Sequence, residues 1–256
     1  MITIKSEREI QLMKKAGQIV ALALKEVEKA IKPGVSTYEL DKLVERIILE
    51  NDATPSFKGY GGFPGSICAS VNNVVVHGIP SKKMILKEGD IIAIDVGACY
   101  QGYHGDSAVT FAVGKISEAR QRLINVTKEA LYEGLKFAQP NNRLSDVSHA
   151  IEKYVLENNF NVVKEFTGHG IGKALHEDPY IPNFGEPGQG PLLKEGMALA
   201  IEPMVNAGTS KVKILQDNWT TVTLDKSDSA HFEHTVVITK TGHMILTKLE
   251  GSEFDV

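Results

Sequence analysis

Apolar residues recur at helical spacing near the start of the chain. Ser6 and Glu9 form a capping-box pattern, and the apolar positions after it predict a long helix that continues to Ile31. Pro33 and the glycine that follows it end this helix. A second helix is predicted from Ser36, which again has a glutamate three residues later. The chain therefore opens with two helices joined by a short turn.

The same order of helices returns in the second half. The pattern predicts a helix over about 117–137, a break at Pro140 and a further helix that begins near Ser145. Apolar runs predict strands at 67–76, 90–96 and 106–113 after a loop at 59–65, and at 162–167, 197–204, 211–215, 219–223, 231–239 and 243–248. Helices followed by groups of strands favour an α+β fold over alternating βαβ units.

Two ten-residue segments nearly repeat each other. Residues 86–95 read LKEGDIIAID and residues 193–202 read LKEGMALAIE, so each apolar strand ends on an acid, Asp95 or Glu202. A carboxylate at the end of a buried strand is unfavourable unless a cation or a hydrogen-bond partner meets it. We therefore expect two halves of a duplicated frame to bring their acids to one shared site.

Length and composition fit one domain. No linker divides the chain, so we expect a single domain over 1–256 with an internal repeat, roughly 6–113 and 117–248. A formal net charge of −4 provides no general attraction to nucleic acids or acidic membranes. Cys68 and Cys99 match no metal or redox spacing, which favours a reducing compartment. Because neither a signal peptide nor a membrane-spanning apolar run is visible, the expected location is the cytoplasm.

Asp106, His169 and Glu233 join the two strand-end acids as candidate ligands. Asp106 follows Asp95 at a spacing that suits a hairpin, although surface acids on a solvated hairpin give the same pattern. His169 lies among glycines that allow close approach of a ligand, and an ordinary core or surface histidine is the alternative. Glu233 enters an apolar strand, where an outward-facing acid is the alternative. Four carboxylates brought together would repel one another unless cations neutralise them. Two divalent ions, with Mn, Fe or Co favoured, would neutralise these charges. A site with two such ions indicates hydrolysis as the reaction.

Five segments follow one another along the chain: VHGIP, IDVG with a second Asp eleven residues after the first, GHGIG followed by LHEDP, AIEP, and FEHT. In this order and spacing they resemble type I methionine aminopeptidases, and the resemblance extends along essentially the whole chain. The resemblance implies the duplicated pita-bread α+β fold, an antiparallel sheet covered by two pairs of helices. It implies removal of the initiator methionine from nascent proteins with a small second residue. The implied ligands of two divalent ions (Co, Mn or Fe) are Asp95, Asp106, His169, Glu202 and Glu233.

The resemblance also implies roles in catalysis. A hydroxide that bridges the ions would attack the scissile carbonyl, with Glu202 as general acid/base. His77 and His176 would contact the substrate, one near the amide nitrogen and the other near the carbonyl oxygen, whereas on sequence alone both also suit ordinary strand ends. A monovalent cation is implied near Asn72, Val74 and Ser229.

A methionine pocket carries over with differences. Its predicted lining is Phe57, Tyr60, Phe63, Cys68, Leu175 and Trp219. Phe57, Phe63 and Leu175 stand where bacterial members often carry Cys, Tyr and Phe, so the resemblance leaves an apolar pocket of altered shape. Simple packing is the alternative role for the three aromatic residues of the loop at 59–65 and its flank.

Length and partners refine the resemblance. The chain has neither the N-terminal zinc-binding extension of eukaryotic type I enzymes nor room at 204–230 for the type II insertion, so it resembles the minimal bacterial form. The expected partner is the N-terminal Met of nascent peptides, with ribosome association compatible with that role, and the chain is expected to be a monomer. Two rivals remain: an aminopeptidase P or prolidase, which usually carries a large extra N-terminal domain, and a non-enzymatic binding module, which tends to lose ligands.

Overall fold

The computed structural model describes residues 1–249, so the end of the predicted domain, 250–256, lies outside the described residues. The helices are α1 (Glu7–Ala30), α2 (Thr37–Glu50), α3 (Glu118–Leu135) and α4 (Leu144–Glu157). Ser6 caps α1 as predicted, because its backbone N–H donates to the Glu9 carboxylate at 2.8 Å and its hydroxyl accepts from the Glu9 N–H at 3.5 Å. Helix α4 begins close to its predicted start, but Ser145 does not cap it; the Ser145 hydroxyl accepts from the backbone N–H of Gln189 at 2.6 Å.

The strands form antiparallel ladders, which confirms the predicted α+β class. They are β1 (Thr54–Pro55), β2 (Ile67–Val71), β3 (Val74–Val76), β4 (Ile91–Tyr100), β5 (Tyr103–Ala112), β6 (Asn161–Val162), β7 (Thr167–Gly170), β8 (Glu177–Pro182), β9 (Ala198–Ile201), β10 (Met204–Asn206), β11 (Val212–Ile214), β12 (Thr221–Thr223), β13 (Ser229–His231), β14 (His234–Ile238) and β15 (His243–Ile245). Over residues 1–249 they are divided among four hydrogen-bonded sheets, ordered β1-β4-β2 with β5 beside β4, β13-β10-β6, β11-β12-β3, and β15-β14-β9-β7-β8.

The β4–β5 hairpin is longer than the sequence pattern predicts. Pairing continues from Ile91 opposite Ala112 to Tyr100 opposite Tyr103, so the predicted strand ends at 96 and 106 are wrong. Gln101 and Gly102 make the turn with positive φ angles of 49° and 82°. A two-residue turn of this hand matches the twist of antiparallel strands and lets them pair up to the turn.

Several predicted strands are broken in two. The run at 67–76 divides at Asn72, whose φ of 53° turns the chain between β2 and β3. The run at 197–204 divides at Glu202, because Pro203 has no N–H to continue the ladder. The run at 231–239 divides at Glu233. Two of these breaks fall at acids that the sequence marks as ligands, which frees their side chains from the regular alternation of a strand.

Strand β8 is absent from the sequence prediction. It contains Pro179 and Pro182 and lies at the edge of the five-stranded sheet beside β7. Proline cannot donate to a ladder and is tolerated at a sheet edge, so the composition that hid the strand also fits its position.

The two helix pairs pack in the same way. Helices α1 and α2 pack against each other and against the sheet of β4, and α3 and α4 pack against each other and against β13, β10, β6 and β8. Both ends of α4 follow those of α2 by 107 residues, and the same offset relates β6 to β1. It also relates the isolated bridge Arg143–Leu192 to the bridge Ser36–Ile85. This regularity supports the predicted repeat within one domain, which remains a prediction.

Membrane insertion finds no support in the helices. Within residues 1–249, none of them combines the length and the apolar character that a membrane crossing requires.

Candidate metal centre and substrate cavity

Two of the predicted ligands come from the β4–β5 hairpin. Asp95 pairs with Ala108 and Asp106 pairs with Gly97, so the two acids are diagonal neighbours on one face. The backbone of Asp106 is held from the other half of the chain: its N–H donates to the Thr235 hydroxyl at 3.0 Å, and that hydroxyl donates to the Asp106 carbonyl at 2.8 Å. The hairpin therefore presents two carboxylates from a rigid support.

The other three predicted ligands come from the second half. His169 lies on β7 opposite Ala200 of β9, and Glu202 directly follows β9. Glu233 lies between β13 and β14, and its backbone N–H donates to the carbonyl of Ala108 at 2.9 Å. This bond joins the two halves of the chain at the site. Three ligands from within strands and two from strand breaks, Glu202 and Glu233, thus line one cavity.

His169 faces the acids with an imidazole nitrogen. One ligand atom from each of Asp106, His169 and Glu233 lies within 4.8 Å of the others. His169 Nε2 is 3.5 Å from Glu202 Oε1 and 4.0 Å from Asp106 Oδ2. Its Nδ1 donates to the Gly170 carbonyl at 2.9 Å, which leaves the lone pair on Nε2. Burial and the neighbouring His176 lower the pKa of His169 to about 4, so the ring is a neutral ligand at neutral pH.

The carboxylates are electrostatically uncompensated by the chain. Burial is the main cause that raises the pKa of Asp95 to about 7 and that of Glu202 to about 8. Burial and the neighbouring acids raise the pKa values of Asp106 and Glu233 well above their usual range. One oxygen each of Asp95, Asp106 and Glu233 is buried without a hydrogen-bond partner. The described residues that line the cavity include no lysine or arginine. The donor set therefore fits divalent cations that accept oxygen ligands and one imidazole.

An apolar cavity adjoins the carboxylates. Its volume is about 210 Å³, and the predicted pocket residues all line it: Phe57, Tyr60, Phe63, Cys68, Leu175 and Trp219. The rings of Phe63 and Trp219 meet edge to face at 5.2 Å. Four further residues line the cavity and were not predicted from the sequence: Val76, Phe166, Thr167 and Met204. Nothing in their sequence pattern separates them from ordinary core residues.

The two predicted substrate histidines also line this cavity. His176 meets His169 edge to face with ring centroids 4.3 Å apart, and its Nδ1 lies 2.7 Å from the Tyr60 hydroxyl. His77 adopts a φ of 58° and lies edge to face with Phe166 at 5.4 Å. Burial lowers the pKa of His77 to about 4 and lowers that of His176 as well, so both rings are neutral at neutral pH. Neutral imidazoles offer one donor each to a substrate.

His231 lies at the site although it is not among the residues predicted from the sequence. It is 2% exposed, its Nε2 lies 3.6 Å from Glu202 Oε2, and that nitrogen has no hydrogen-bond partner. The signal was present in the segment HFEHT, where His231 precedes Glu233 by two residues and so points to the same face of an extended chain.

The predicted monovalent-cation residues lie together, away from the cavity lining. The backbone N–H of Ser229 donates to the carbonyl of Asn72 at 2.9 Å, and the Asn72 side chain donates to Asp90 Oδ1 at 2.9 Å. Val74 begins the strand after Asn72. A cation at these residues stays a prediction.

Known proteins resemble this chain along its length. The model of metallopeptidase family M24 matches residues 11–240. Methionine aminopeptidase 1 of Bacillus subtilis is 58% identical over 249 residues, which cover 97% of this chain and 100% of that protein. The crystal structure of methionine aminopeptidase from Thermotoga maritima superposes with a TM-score of 0.96 at 51% identity, over 97% of this chain and 100% of that one.

The rival class is more distant. Prolidase from Pyrococcus furiosus superposes with a TM-score of 0.78 at 26% identity, over 96% of this chain but only 66% of that one. The predicted pita-bread fold and the predicted resemblance are confirmed by these likenesses. The chain belongs to metallopeptidase family M24 and, within it, to the bacterial methionine aminopeptidases.

Proposed function

We propose that this metallopeptidase removes the N-terminal methionine from nascent proteins whose second residue is small. The observation that carries the proposal is the direct contact between an apolar cavity and a cluster of acids within one enclosure. The relatives of the chain carry the name methionine aminopeptidase, which supports the same substrate.

The cavity suits an unbranched apolar side chain. Phe63 and Trp219 offer aromatic edges and faces on one side, and Leu175 is an aliphatic neighbour. A thioether contacts aromatic rings favourably, by roughly 0.3–1.5 kcal/mol, and its flexible chain adapts to an irregular cavity. The N-terminal methionine would therefore lie against these residues with its amide group beside the acids.

Two divalent ions complete the proposed site, with cobalt, manganese and iron as the candidates. The residues that would hold them are Asp95, Asp106, His169, Glu202 and Glu233. When bound, such ions acidify a water molecule so that it becomes a nucleophile near neutral pH. The buried, unpartnered carboxylate oxygens support this proposal, because the chain offers them no cation of its own.

The side chains have separate tasks in the proposed reaction. Glu202 takes up the proton of the attacking water and delivers it to the leaving amine, as a general base and then a general acid. His77 and His176 contact the scissile amide nitrogen and carbonyl oxygen. The Tyr60 hydroxyl, which lies 2.7 Å from His176 Nδ1, donates to that nitrogen. His176 Nε2 then carries the ring proton and is available as a donor to a substrate oxygen.

The cell context follows from this role. We propose that the enzyme acts in the cytoplasm as a monomer on emerging chains, and ribosome association remains a prediction. A small second residue is expected because the space beside the acids must also admit the rest of the peptide.

A peptide panel tests the proposed function. Met-Ala-Ser and Met-Gly peptides, Leu-Ala-Ser as the side-chain control and Xaa-Pro peptides would be incubated with protein loaded with Mn, Co or Fe. We expect methionine release from the first two, loss of activity with a chelator, and recovery on metal addition. Cleavage of Xaa-Pro without cleavage of Met-Ala-Ser would favour the prolidase class instead.

A further inference from the structure

We propose that His231 is a positioning residue that fixes the second carboxylate oxygen of Glu202. The inference rests on the proposed function, in which Glu202 moves the proton. Glu202 lies between two imidazoles: Oε1 is 3.5 Å from His169 Nε2, and Oε2 is 3.6 Å from His231 Nε2. One histidine belongs to the candidate ligands, whereas nothing so far explains the other.

The surroundings of His231 hold its backbone firmly. Its N–H donates to the Thr110 hydroxyl at 2.9 Å, and that hydroxyl donates to the His231 carbonyl at 2.9 Å. On the other side it pairs with Met204 of β10. The ring is therefore placed by strands from both halves of the chain. Since the backbone is already fully bonded, the free ring nitrogen is available for a side-chain partner.

Packing alone does not account for a histidine here. A buried polar nitrogen without a partner is unfavourable, and an apolar side chain of similar size would avoid that cost. Glu202 Oε2 is the acceptor within reach, and the 3.6 Å separation is just longer than a hydrogen bond. Catalytic hydrogen bonds are often long before the substrate complex forms and shorten in it. Donation from Nε2 would thus orient Oε2 and leave Oε1 on the side of His169.

The two carboxylate oxygens of Glu202 would therefore have different roles. Oε1 faces His169 of the ligand cluster, and Oε2 faces His231 outside it, whose donation would hold that oxygen in place. A carboxylate restrained in this way keeps the geometry that proton transfer needs, and partners of metal ligands typically change affinity or activity 10–100-fold when removed.

The test compares a donor with apolar residues at one position. His231→Gln keeps an N–H donor, and His231→Leu removes it, with His231→Phe as the alternative should the leucine variant not fold. Each variant would be assayed for kcat and KM on Met-Ala-Ser and titrated with Co²⁺ by calorimetry and by its visible absorption. We expect the apolar variant to lose roughly 10–100-fold in kcat or in Co²⁺ affinity. KM should stay within about threefold, and the glutamine variant should recover most of the loss.

His234→Leu is the matched control. His234 is also a buried histidine beside Glu233, but its Nδ1 bonds the Thr247 hydroxyl at 2.8 Å and its ring faces Tyr132 rather than the cavity. Equal losses in His234→Leu and His231→Leu, or a glutamine variant as impaired as the leucine one, would overturn the inference. So would a leucine variant with wild-type kcat and an unchanged Co²⁺ spectrum. A wild-type protein that binds Co²⁺ but fails on Met-Ala-Ser would count against the proposed function alone.

Discussion

Buried carboxylates occur in two different settings in this chain. Glu177 meets Lys5 Nζ at 2.6 Å and the Thr3 hydroxyl at 2.8 Å, and both charged side chains of that pair are largely buried. Burial opposes ionisation of Glu177, but these hydrogen bonds outweigh it and lower its pKa. Among the ligand acids burial is the largest influence, and it raises the pKa of Asp95 to about 7 and that of Glu202 to about 8. Glu177, which pairs with a lysine of the chain, therefore stabilises the fold. The ligand acids have no such partner and are available to bind a metal ion.

The largest expected effect comes from neutralising a ligand acid. Glu202→Gln removes the proposed general acid/base, a role worth about 10²–10⁴-fold, so turnover of Met-Ala-Ser should fall by about 10³-fold. The metal-free protein should become more stable at pH 8, because one of the mutually repelling buried acids is gone. Activity with Mn²⁺ and thermal unfolding in a chelator measure the two effects. Glu177→Gln is the matched control, and it should instead lower the unfolding temperature.

Asp106→Asn removes the charge of a proposed metal ligand that has no part in proton transfer, so it separates the effect of charge from that of the general acid/base. It should also raise the stability of the metal-free protein, but its loss of activity should accompany weaker metal binding. A metal-free Glu202→Gln or Asp106→Asn protein that is less stable than wild type would contradict the idea that these acids are uncompensated.

The sequence identifies the acids of the site, but it does not show which buried acids pair with a cation of the chain and which do not. Asp95 and Glu202 stand out because each follows an apolar run. In the fold Glu202 directly follows β9, whereas Asp95 lies within β4, which continues to Tyr100. The partner of Glu177 lies 172 residues away, and no pattern near Glu177 announces it. For His231 the sequence offers a local signal, its position two residues before Glu233, but its proximity to Glu202 depends on how β13 pairs with β10.

The breaks within predicted strands could not be predicted from the sequence either. An apolar run such as 197–204 predicts one strand, and local propensity does not show that the chain turns at Glu202. The missing N–H of Pro203 is the one local signal, and its effect depends on the neighbouring strand. Helix ends were predicted more closely because Ser6 and Ser36 cap them through contacts three residues away.

The pH dependence of metal binding follows from the raised pKa values. Asp95 and Glu202 have folded pKa values of about 7 and 8, above their unfolded values near 4. Their contribution to metal-free stability is present below about pH 4 and is lost as the pH rises to about 8. Metal must displace these protons, so the rise in unfolding temperature on adding Mn²⁺ should grow by several degrees between pH 5.5 and pH 8.

Differential scanning calorimetry at matched ionic strength would measure this rise. Glu202→Gln provides the control, since the removal of one titrating acid should flatten the dependence. A metal-induced rise that is equal at both pH values would show that the ligand acids are already ionised in the metal-free protein.

A smaller effect is expected at the acid that has its own cation. Lys5→Met leaves Glu177 buried without its partner, and breaking a buried pair typically costs about 3–5 kcal/mol. Because the Glu177 side chain is 15% exposed, we expect about 2–3 kcal/mol in urea unfolding. Lys5→Met combined with Glu177→Leu should recover most of that loss, as apolar replacement of buried pairs often does. A double variant as unstable as the single one would mean that the ion pair holds the start of β8, next to His176, in ways that apolar packing cannot replace.

The smallest effect is expected where an acid and its cation are both partly exposed. Arg120 donates from Nε and Nη2 to the two oxygens of Asp228 at 2.8 and 2.9 Å, and about a quarter of each side chain is exposed. Such a pair is worth roughly 1 kcal/mol, because water screens the charges even when the geometry is bidentate. Asp228→Asn should therefore lower the free energy of unfolding by about 1 kcal/mol in low salt and by less in 0.5 M NaCl. Glu50→Gln, in the exposed pair with Arg46, is the control with no measurable change expected. If Asp228→Asn lowered the free energy of unfolding as much as Lys5→Met does, and salt did not change that loss, solvent exposure would not determine how much an ion pair stabilises this protein.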